Sequence, residues 1–402
     1  MLNKYIFALF IFLFSTVVMA NSYHASVNHF GAVGDGVADD GPSIQAAINS
    51  LAGKGGTVFL PAGKYRIAES LKMMPRVNLL GVGRGSTIIA DDCNAIEFGP
   101  SVIGVGFGNI ILDNFAIDGV NGSDRVAIKH LGTNNVADET YGISVKKLLI
   151  TNFNVGVQLR TARNVWIVDN WIQNVNSGID LTGKNLVVKI RGNQIVKAAG
   201  NGGGESNGIL MRGYTYAGGE TVRPEGIHIT GGNQIFGFDT GVNMDGVVFC
   251  NLVGNDISSV IYGVEINSAS APINIKENYI IVSGPAGYQA ISMKPQSEFI
   301  HSSTNIIDNH FEAVGTLGSS GIQIGGPSLG NQTDISIVRN SFTGFDVHDV
   351  IILNSGNIIL DNNRFRSAVQ KSVFVTGVLP NRFVKARDNI AVGQIYGPEI
   401  IQ

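Results

Sequence analysis

The chain has 402 residues and a formal net charge of −3, from 28 basic and 31 acidic side chains. This near-neutral balance excludes a strongly basic nucleic-acid-binding protein and a strongly charged disordered chain. Fifty-two glycines against eleven prolines favour many short strands joined by tight turns.

The first twenty residues have the pattern of a cleavable export signal. Lys4 is a short basic region, residues 5–18 are an apolar run, and Val18-Met19-Ala20 ends in small residues. The run is short for a membrane span, and no second stretch of spanning length follows it. We therefore expect a signal peptide at 1–20, an exported domain at 21–402 without a membrane span, and a secreted or periplasmic protein. An uncleaved membrane anchor is the alternative.

An amphipathic helix is predicted close to the N-terminus. Asp40-Gly41-Pro42-Ser43 predicts a helix start with Asp40 as the capping residue. Apolar residues then recur at helical spacing at Ile44, Ala47, Ile48 and Leu51. Within a cap region at residues 27–70, this helix is expected to cover the open end of the repeats that follow, where unpaired strand edges would meet water.

The tripeptide Asn-x-Ile or Asn-x-Phe recurs through most of the remaining chain. Its asparagines are Asn170, Asn193, Asn233, Asn255, Asn278, Asn309, Asn340 and Asn363. Four of the steps between them are 22 or 23 residues (193 − 170 = 23, for example), and the others are 40, 31 and 31. A repeat of this length predicts a solenoid of stacked coils, in which each asparagine can hydrogen-bond the asparagine one coil away.

A second repeat, Gly-apolar-x-apolar-x, alternates with the first. Its first positions are Gly156, Gly178, Gly208, Gly241, Gly263, Ala290 and Gly321. The period of two predicts a strand with an apolar inward face and a polar outward face, and another strand precedes each repeat asparagine. Three parallel strands in about 22 residues leave no room for crossover helices. They favour an all-β, single-stranded right-handed parallel β-helix, with the glycines allowing tight turns into the next strand.

The two cysteines, Cys93 and Cys250, lie far apart in the sequence. Export would permit a disulfide between them. Because Cys250 ends the apolar run Val247-Val248-Phe249-Cys250, a buried thiol is the preferred interpretation.

Three segments near the N-terminus carry a family resemblance. They are His29–Asp40 with Ile44–Ile48, Gly55–Tyr65 and Leu80–Ile89. Together they resemble the opening of pectate-lyase-like right-handed parallel β-helix proteins, a group that includes rhamnogalacturonase-like hydrolases, alginate C5-epimerases and phage tailspike depolymerases. The detailed resemblance covers residues 27–120. It implies the fold and the N-terminal cap, but does not select a reaction.

Motifs that would specify a reaction are missing or incomplete. The Asn-Thr-Asp, Gly-His-Gly and Arg-Ile-Lys motifs of polygalacturonases do not occur. The epimerase signature Asp-Pro-His-Glu/Asp has a partial counterpart in Asp346-Val347-His348-Asp349, which lacks the proline. This segment is interpreted either as catalytic or as an ordinary solvated turn.

The longer steps of the repeat locate inserts beside the polar-faced strands. The inserts are residues 119–142, 197–207, 213–226, 295–304 and 325–333. Long loops grouped on one face of a rigid scaffold usually carry function. We expect them to form the walls of a long groove over one sheet.

Two outward columns of side chains are predicted to form the groove floor. The first is Gln158, Asp180, Leu210, Asn243, Glu265, Ser292 and Gln323, and the second is Arg160, Thr182, Arg212, Asp245, Asn267, Lys294 and Gly325. Neighbouring coils lie about 4.8 Å apart and residues i and i+2 about 6.7 Å apart. Asp245 should therefore lie beside Arg212 and diagonally from Glu265, at roughly 8 Å between backbones.

Asp245 and Glu265 are the predicted catalytic pair of a glycoside hydrolase. Their spacing suits an inverting enzyme, in which an acid and a base about 6.5–9.5 Å apart flank the bond and a water. Arg212 should keep Asp245 ionised, which leaves Glu265 as the candidate for a raised pKa. The predicted substrate-binding residues are Arg212, Lys294, Asp180, Asn243, Asn267, Tyr214 and Tyr216, the two tyrosines as stacking platforms. The alternative is that all of these are solvated surface residues.

Two other functions remain open. A uronate lyase or C5-epimerase would need a cation or amide on the substrate carboxylate and a base for the C5 proton. Arg212, Lys294, Tyr214, Tyr216 and Lys129 could supply these groups. The third possibility is a non-catalytic polysaccharide-binding or surface structural protein. In each case we expect a polysaccharide partner, no nucleic acid, no cofactor and no metal, and the sequence does not fix the oligomeric state.

Two tryptophans are expected away from the groove. Trp166 and Trp171 fall on the outer faces of the other strands, where they either cover a loop or stack on a sugar.

Overall fold

Parallel strands that each pair with the strand one coil later build nearly all of the protein. The computed structural model describes residues 23–99, 108–119, 124–132, 140–197, 205–215, 219, 221–267, 272–284, 287–293, 303–315, 318–326, 332–369, 371–377, 382–392, 394–396 and 400–401. The predicted signal peptide lies outside these residues.

Each regular coil contains three strands, as predicted. In one coil Val155–Leu159 is followed by Ala162–Val168 and Trp171–Gln173, and Ser177–Thr182 then pairs in parallel with Val155–Leu159. The sheet that contains Val155–Leu159 is called the groove sheet here. The other two strands of each coil form the first and second rows of the ladder sheet.

The described residues contribute thirteen strands to the groove sheet. They are Leu71–Lys72, Ile96–Phe98, Val126–His130, Val155–Leu159, Ser177–Thr182, Asn207–Arg212, Thr240–Asp245, Tyr262–Ile266, Gln289–Met293, Ser320–Ile324, His348–Leu353, Lys371–Thr376 and Gln394–Tyr396. Inward side chains of successive strands stack into fully buried apolar columns, such as Val157, Ile179 and Ile209. This stacking fills the interior of the solenoid at the close packing of a protein core.

The ladder sheet has twenty-seven strands within the described ranges. The first row is His24–Ser26, Gly56–Phe59, Thr140–Lys146, Ala162–Val168, Asn185–Arg191, Glu225–Thr230, Val248–Val253, Ile273–Lys276, Thr304–Ile307, Gln332–Val338, Ser355–Asp361, Val384–Arg387 and Ile400–Ile401. The second row is Asp35–Asp39, Gly63–Ile67, Leu149–Thr151, Trp171–Gln173, Gln194–Val196, Gln234–Phe236, Asp256–Val260, Tyr279–Ser283, His310–Val314, Ser341–Thr343, Arg364–Phe365 and Ile390–Ala391. Val77–Ala90 and Gly108–Gly119 run through both rows.

The repeat asparagines form a continuous buried ladder at the corner between these rows. The Asn255 backbone N–H and Nδ2 both donate to Asn278 Oδ1 at 3.0 Å, and Nδ2 also donates to the Ile229 carbonyl. The ladder extends one rung beyond the predicted set, because Asn363 donates to Asn389 Oδ1 at 2.9 Å. Asn389 escaped the pattern because alanine, not Ile or Phe, lies two residues after it.

The glycines of the second repeat have a different role from the predicted one. Gly156, Gly178 and Gly208 are absent from the residues with positive φ, so they do not serve a turn. A Cβ atom at Gly178 would lie 2.2 Å from Ile195 Cγ2 and 2.5 Å from the Gly208 carbonyl oxygen. Glycine is therefore required at these positions because core side chains and the backbone of the next coil leave no space for a Cβ atom.

A helix spans Gly41–Ser50 and packs on the first strands, as predicted for the cap. It buries Ile44 and Ile48 completely. The predicted capping role of Asp40 is wrong: its side chain makes no capping hydrogen bond and accepts from the Val33 and Gly34 N–H groups at 2.6 and 3.0 Å. The carboxylate therefore fixes the preceding loop instead of the helix end.

Both cysteines are free thiols, which confirms the preferred interpretation. Cys250 is fully buried, and burial raises its pKa to about 12. Within the described ranges, no helix has the length and apolar character needed to cross a membrane.

Candidate functional site

The register of the groove sheet confirms the first predicted column and, in the second, the sequence Thr182, Arg212 and Asp245. Asn243 pairs with Leu210 on one side and with Glu265 on the other, and Asp245 pairs with Arg212. Asp245 therefore lies one coil and two residues away from Glu265. By strand geometry this is roughly 8 Å between backbones.

Arg212 and Asp245 form an ion pair across neighbouring coils. Arg212 Nε lies 3.7 Å from Asp245 Oδ2, and the two side chains are 49% and 38% exposed. Such an exposed pair adds little to stability. Its consequence is local: a guanidinium stands beside the carboxylate on the groove floor.

Glu265 is held by a hydroxyl from the preceding coil. Thr240 Oγ1 donates to Glu265 Oε2 at 2.7 Å. Tyr262 lies in the same strand as Glu265, and its pKa is raised by burial and by the charge of Glu265. Sequence reasoning missed both neighbours. Each is the residue just before a repeat glycine, a position outside the alternating pattern.

The predicted binding residues Asn243 and Asn267 are joined by a hydrogen bond. Asn267 Nδ2 donates to Asn243 Oδ1 at 3.2 Å. Asn243 is 7% exposed, so it is more covered than an open floor residue would be. The two amides lie on the same two coils as Asp245 and Glu265 and join the opposite diagonal of these four positions.

Asp180 has a fixed environment further along the floor. Gln158 Nε2 donates to Asp180 Oδ2 at 3.0 Å, and Thr182 Oγ1 donates to Asp180 Oδ1 at 2.6 Å. Both carboxylate oxygens thus accept hydrogen bonds from floor side chains. This suits an oriented acceptor better than a proton donor.

The groove wall is described in part. Tyr214–Thr215 pairs antiparallel with Thr221–Val222, so the described part of the 213–226 insert includes a two-stranded pair that starts two residues after Arg212. Tyr214 is half-buried there. The predicted residues Tyr216 and Lys294 lie outside the described residues.

The Asp346–Asp349 segment is held in place by hydrogen bonds to neighbouring coils. Asp346 accepts hydrogen bonds from the Gly318 and Ser319 N–H groups at 2.8 and 2.6 Å. His348 Nδ1 donates to the Lys371 carbonyl at 2.7 Å. Asp349 is fully buried in the column where most other coils have glycine. The segment is an anchored turn, and its Asp349 carboxyl lies in the core. The solvated-turn interpretation is therefore wrong for Asp349.

Burial gives Asp349 a measurable effect on stability. Burial raises its pKa to about 6, and the adjacent Ser367 and Ser372 hydroxyls offset this only partly. Because the folded-state pKa is above the unfolded value, the free energy of unfolding should fall as the pH rises from about 4 to about 6, and remain lower above that. The change is on the order of 3 kcal/mol. Asp349→Asn should remove it, as measured by unfolding midpoints at acidic and neutral pH.

Asp346→Asn is the matched control with the opposite sign. Burial raises the pKa of Asp346, but hydrogen bonds from Gly318 and Ser319 outweigh this and leave it below its ordinary value. Its stabilisation is present at neutral pH and lost on acidification. An Asp349→Asn protein that keeps the wild-type pH dependence would contradict the assignment.

Among the described residues, no group of three or more His, Cys, Asp and Glu side chains could hold a metal ion.

Residues 24–99 match the family model described as "Rhamnogalacturonase A/epimerase, pectate lyase-like". Mannuronan C5-epimerase AlgE4 of Azotobacter vinelandii is 49% identical over 72 residues, which are 16% of this chain and 13% of that protein. The aligned segment thus covers far less than two thirds of that relative.

Solved structures extend the likeness over the whole solenoid. The A-module of mannuronan C-5 epimerase AlgE6 from Azotobacter vinelandii matches with a TM-score of 0.68 at 17% identity, covering 92% of this chain and 100% of that one. DFA-IIIase from Arthrobacter chlorophenolicus A6 matches with a TM-score of 0.61 at 14% identity, covering 92% and 97%. At these identities the likeness shows the fold alone. The chain therefore has a parallel β-helix fold with a pectate-lyase-like segment at residues 24–99, and several of the proteins similar to it are carbohydrate-active enzymes.

Proposed function

We propose that this protein is a glycoside hydrolase that binds a long polysaccharide along the groove sheet and cleaves it between Asp245 and Glu265. The observation that carries the proposal is the in-register, diagonal placement of these two carboxylates on one floor. Their backbone separation of roughly 8 Å is compatible with the about 6.5–9.5 Å between the carboxyl groups of an inverting glycosidase.

The environments of the two carboxylates suggest different roles. Asp245, beside the Arg212 guanidinium, takes a proton from the attacking water as the general base. In the proposed reaction Glu265 enters as the carboxylic acid, with Oε2 accepting from Thr240 and the proton on Oε1, and gives that proton to the glycosidic oxygen as the bond to the anomeric carbon breaks. The water oxygen bonds to the anomeric carbon from the opposite face. Asn243 and Asn267 are placed to hydrogen-bond sugar hydroxyls.

A uronate lyase or C5-epimerase is the second candidate. Two observations favour it: the epimerases among the similar proteins, and cations on the floor at Lys129, Arg160 and Arg212. Arg160 and Arg212 occupy the same column two coils apart, with Thr182 between them. Cations at this spacing can neutralise carboxylates on a uronate chain. In this mechanism Arg212 binds the substrate carboxylate, and Tyr214, two residues after it, is the candidate base for the C5 proton.

Product analysis separates these functions. The protein is incubated with a panel of acidic and neutral polysaccharides, and reducing ends, ultraviolet absorbance of unsaturated uronates and the ratio of C5 epimers are followed. New reducing ends without that absorbance support hydrolysis. The absorbance indicates elimination, and an altered epimer ratio without cleavage indicates epimerisation. Retention on a polysaccharide without any product indicates a binding protein, the third possibility.

A further inference from the structure

A cleft of about 390 Å³ lies at the corner between the two rows of the ladder sheet. Its chemically distinctive lining residues are Arg84, Asn114, Lys147, Asp169, Trp171 and Gln194. This corner does not border the groove sheet. The volume falls within the range of small-ligand sites.

One wall of the cleft is an overhang formed by residues 81–86. The strand Val77–Ala90 shifts register against Gly108–Gly119 on both sides of Gly83, so these residues bulge out of the sheet. Gly83 has φ +72°. The buried Ser86 hydroxyl accepts from the Val82 N–H at 3.0 Å and donates to the Leu60 carbonyl at 2.7 Å. The overhang is therefore anchored to the core and holds Arg84 in a defined place.

The base of the cleft is equally fixed. It lies at the N-terminal end of the asparagine ladder. One coil before Asn170, the ladder position is occupied by Leu148 instead of an asparagine. The Leu148 N–H donates to Asn170 Oδ1 at 3.0 Å, and Asn170 Nδ2 donates to Asn193 Oδ1 at 2.9 Å. Both Leu148 and Asn170 are buried. The exposed side chains above them thus stand on a rigid base, which a preformed binding site needs.

The side chains above this base combine an aromatic ring with cations. Trp171 is 37% exposed, and the Arg84 guanidinium carbon lies 4.6 Å from its ring centroid. Lys147 and Asp169 are exposed on successive coils, both with positive φ. Aromatic rings stack on the apolar faces of sugars, while guanidinium groups bind carboxylates. Two cations against one carboxylate favour an acidic ligand.

We propose that this cleft is a second saccharide-binding site, specific for a uronic acid unit and separate from the reacting site on the groove sheet. The Trp171 ring supports the pyranose, Arg84 and Lys147 bind its carboxylate, and Asp169 and Gln194 bind hydroxyls. A polysaccharide held here would stay attached while another part of it, or another chain, occupies the groove.

The two tryptophans of the chain allow a direct test. Trp166→Phe leaves Trp171 as the only indole, so its fluorescence reports on the cleft. We expect a saturable change on titration with tetragalacturonate, and about tenfold weaker binding when Arg84→Ala is added. Cellotetraose, a neutral tetramer, should bind the Trp166→Phe protein only weakly. Its affinity should be no higher than the affinity of tetragalacturonate for the Arg84→Ala variant. Thermal midpoints check that each variant is folded.

Two controls separate this site from the groove. Lys189→Ala removes the cation beside Trp166, 5.8 Å from that ring, and should leave the titration unchanged. Adding Asp245→Asn and Arg212→Ala should also leave it unchanged, whatever happens to activity. An unresponsive Trp171, an equal response to cellotetraose, an unaltered affinity after Arg84→Ala, or loss of the response with Arg212→Ala would each overturn the proposal.

Discussion

Glu265→Gln and Asp245→Asn should each lower the rate of polysaccharide cleavage by about 10²–10⁴-fold, the usual contribution of a positioned acid or base. Both replacements keep the shape and hydrogen-bonding capacity of the side chain while removing its proton chemistry. Substrate affinity should therefore change much less than the turnover number. Steady-state kinetics together with binding measurements on the inactive variants make this comparison.

The two losses should not add. If the carboxylates act on one bond as a unit, the double variant will be scarcely slower than the slower single variant. Glu312→Gln is a matched control, because Glu312 lies in the second row of the ladder sheet and contacts Tyr279 and His310. It should retain wild-type turnover. Wild-type activity in both Asp245→Asn and Glu265→Gln would place the reaction elsewhere.

Asn278→Ala should cause a large loss of stability, on the order of 3–5 kcal/mol. Asn278 is 2% exposed. Its Oδ1 accepts from the N–H and Nδ2 of Asn255, and its Nδ2 donates to the Leu252 carbonyl and to Asn309 Oδ1. Alanine leaves these buried groups unpaired, and each costs about 1–3 kcal/mol. The loss is measured as a lowered unfolding temperature at fixed scan rate, because large solenoids often unfold irreversibly.

Asn274→Ala is the control for this substitution. Asn274 belongs to a parallel run of amides on the outer face, where its Nδ2 donates to Asn251 Oδ1 and its Oδ1 accepts from Asn305 Nδ2, each at 2.9 Å. It is only half-buried, so water can replace the lost partners. We expect a small effect. Equal losses for the two variants would show that burial of the ladder is not what makes it stabilising.

The regular part of the fold was predictable because it repeats. Every coil must place the same kind of side chain in the same column, so the spacing of Asn170, Asn193 and their successors was sufficient to align the strands. The role of the repeat glycines was not predictable. Some glycines allow a turn, and others, such as Gly178, are needed because a close contact leaves no space for a Cβ atom. Both kinds leave the same sequence pattern.

The site was predictable only to the level of backbone register. The alternating pattern predicted Asp245 beside Arg212 and diagonal to Glu265, because successive side chains of a strand point to opposite faces of the sheet. The contact of Thr240 with Glu265 was missed because it depends on side-chain conformation at a position before the glycine. Asp349 was misjudged for a related reason. Its column faces the core, and polarity alone suggested that it faces water.

The anomeric configuration of the first product tests the central claim most directly. On the polysaccharide that yields new reducing ends, proton NMR in the first minutes identifies which anomer is released before mutarotation. A backbone separation of roughly 8 Å is compatible with the carboxyl spacing of an inverting enzyme, so the proposed pairing predicts inversion. Release of the retained anomer, or of an unsaturated uronate, would contradict the proposed pairing of Asp245 with Glu265.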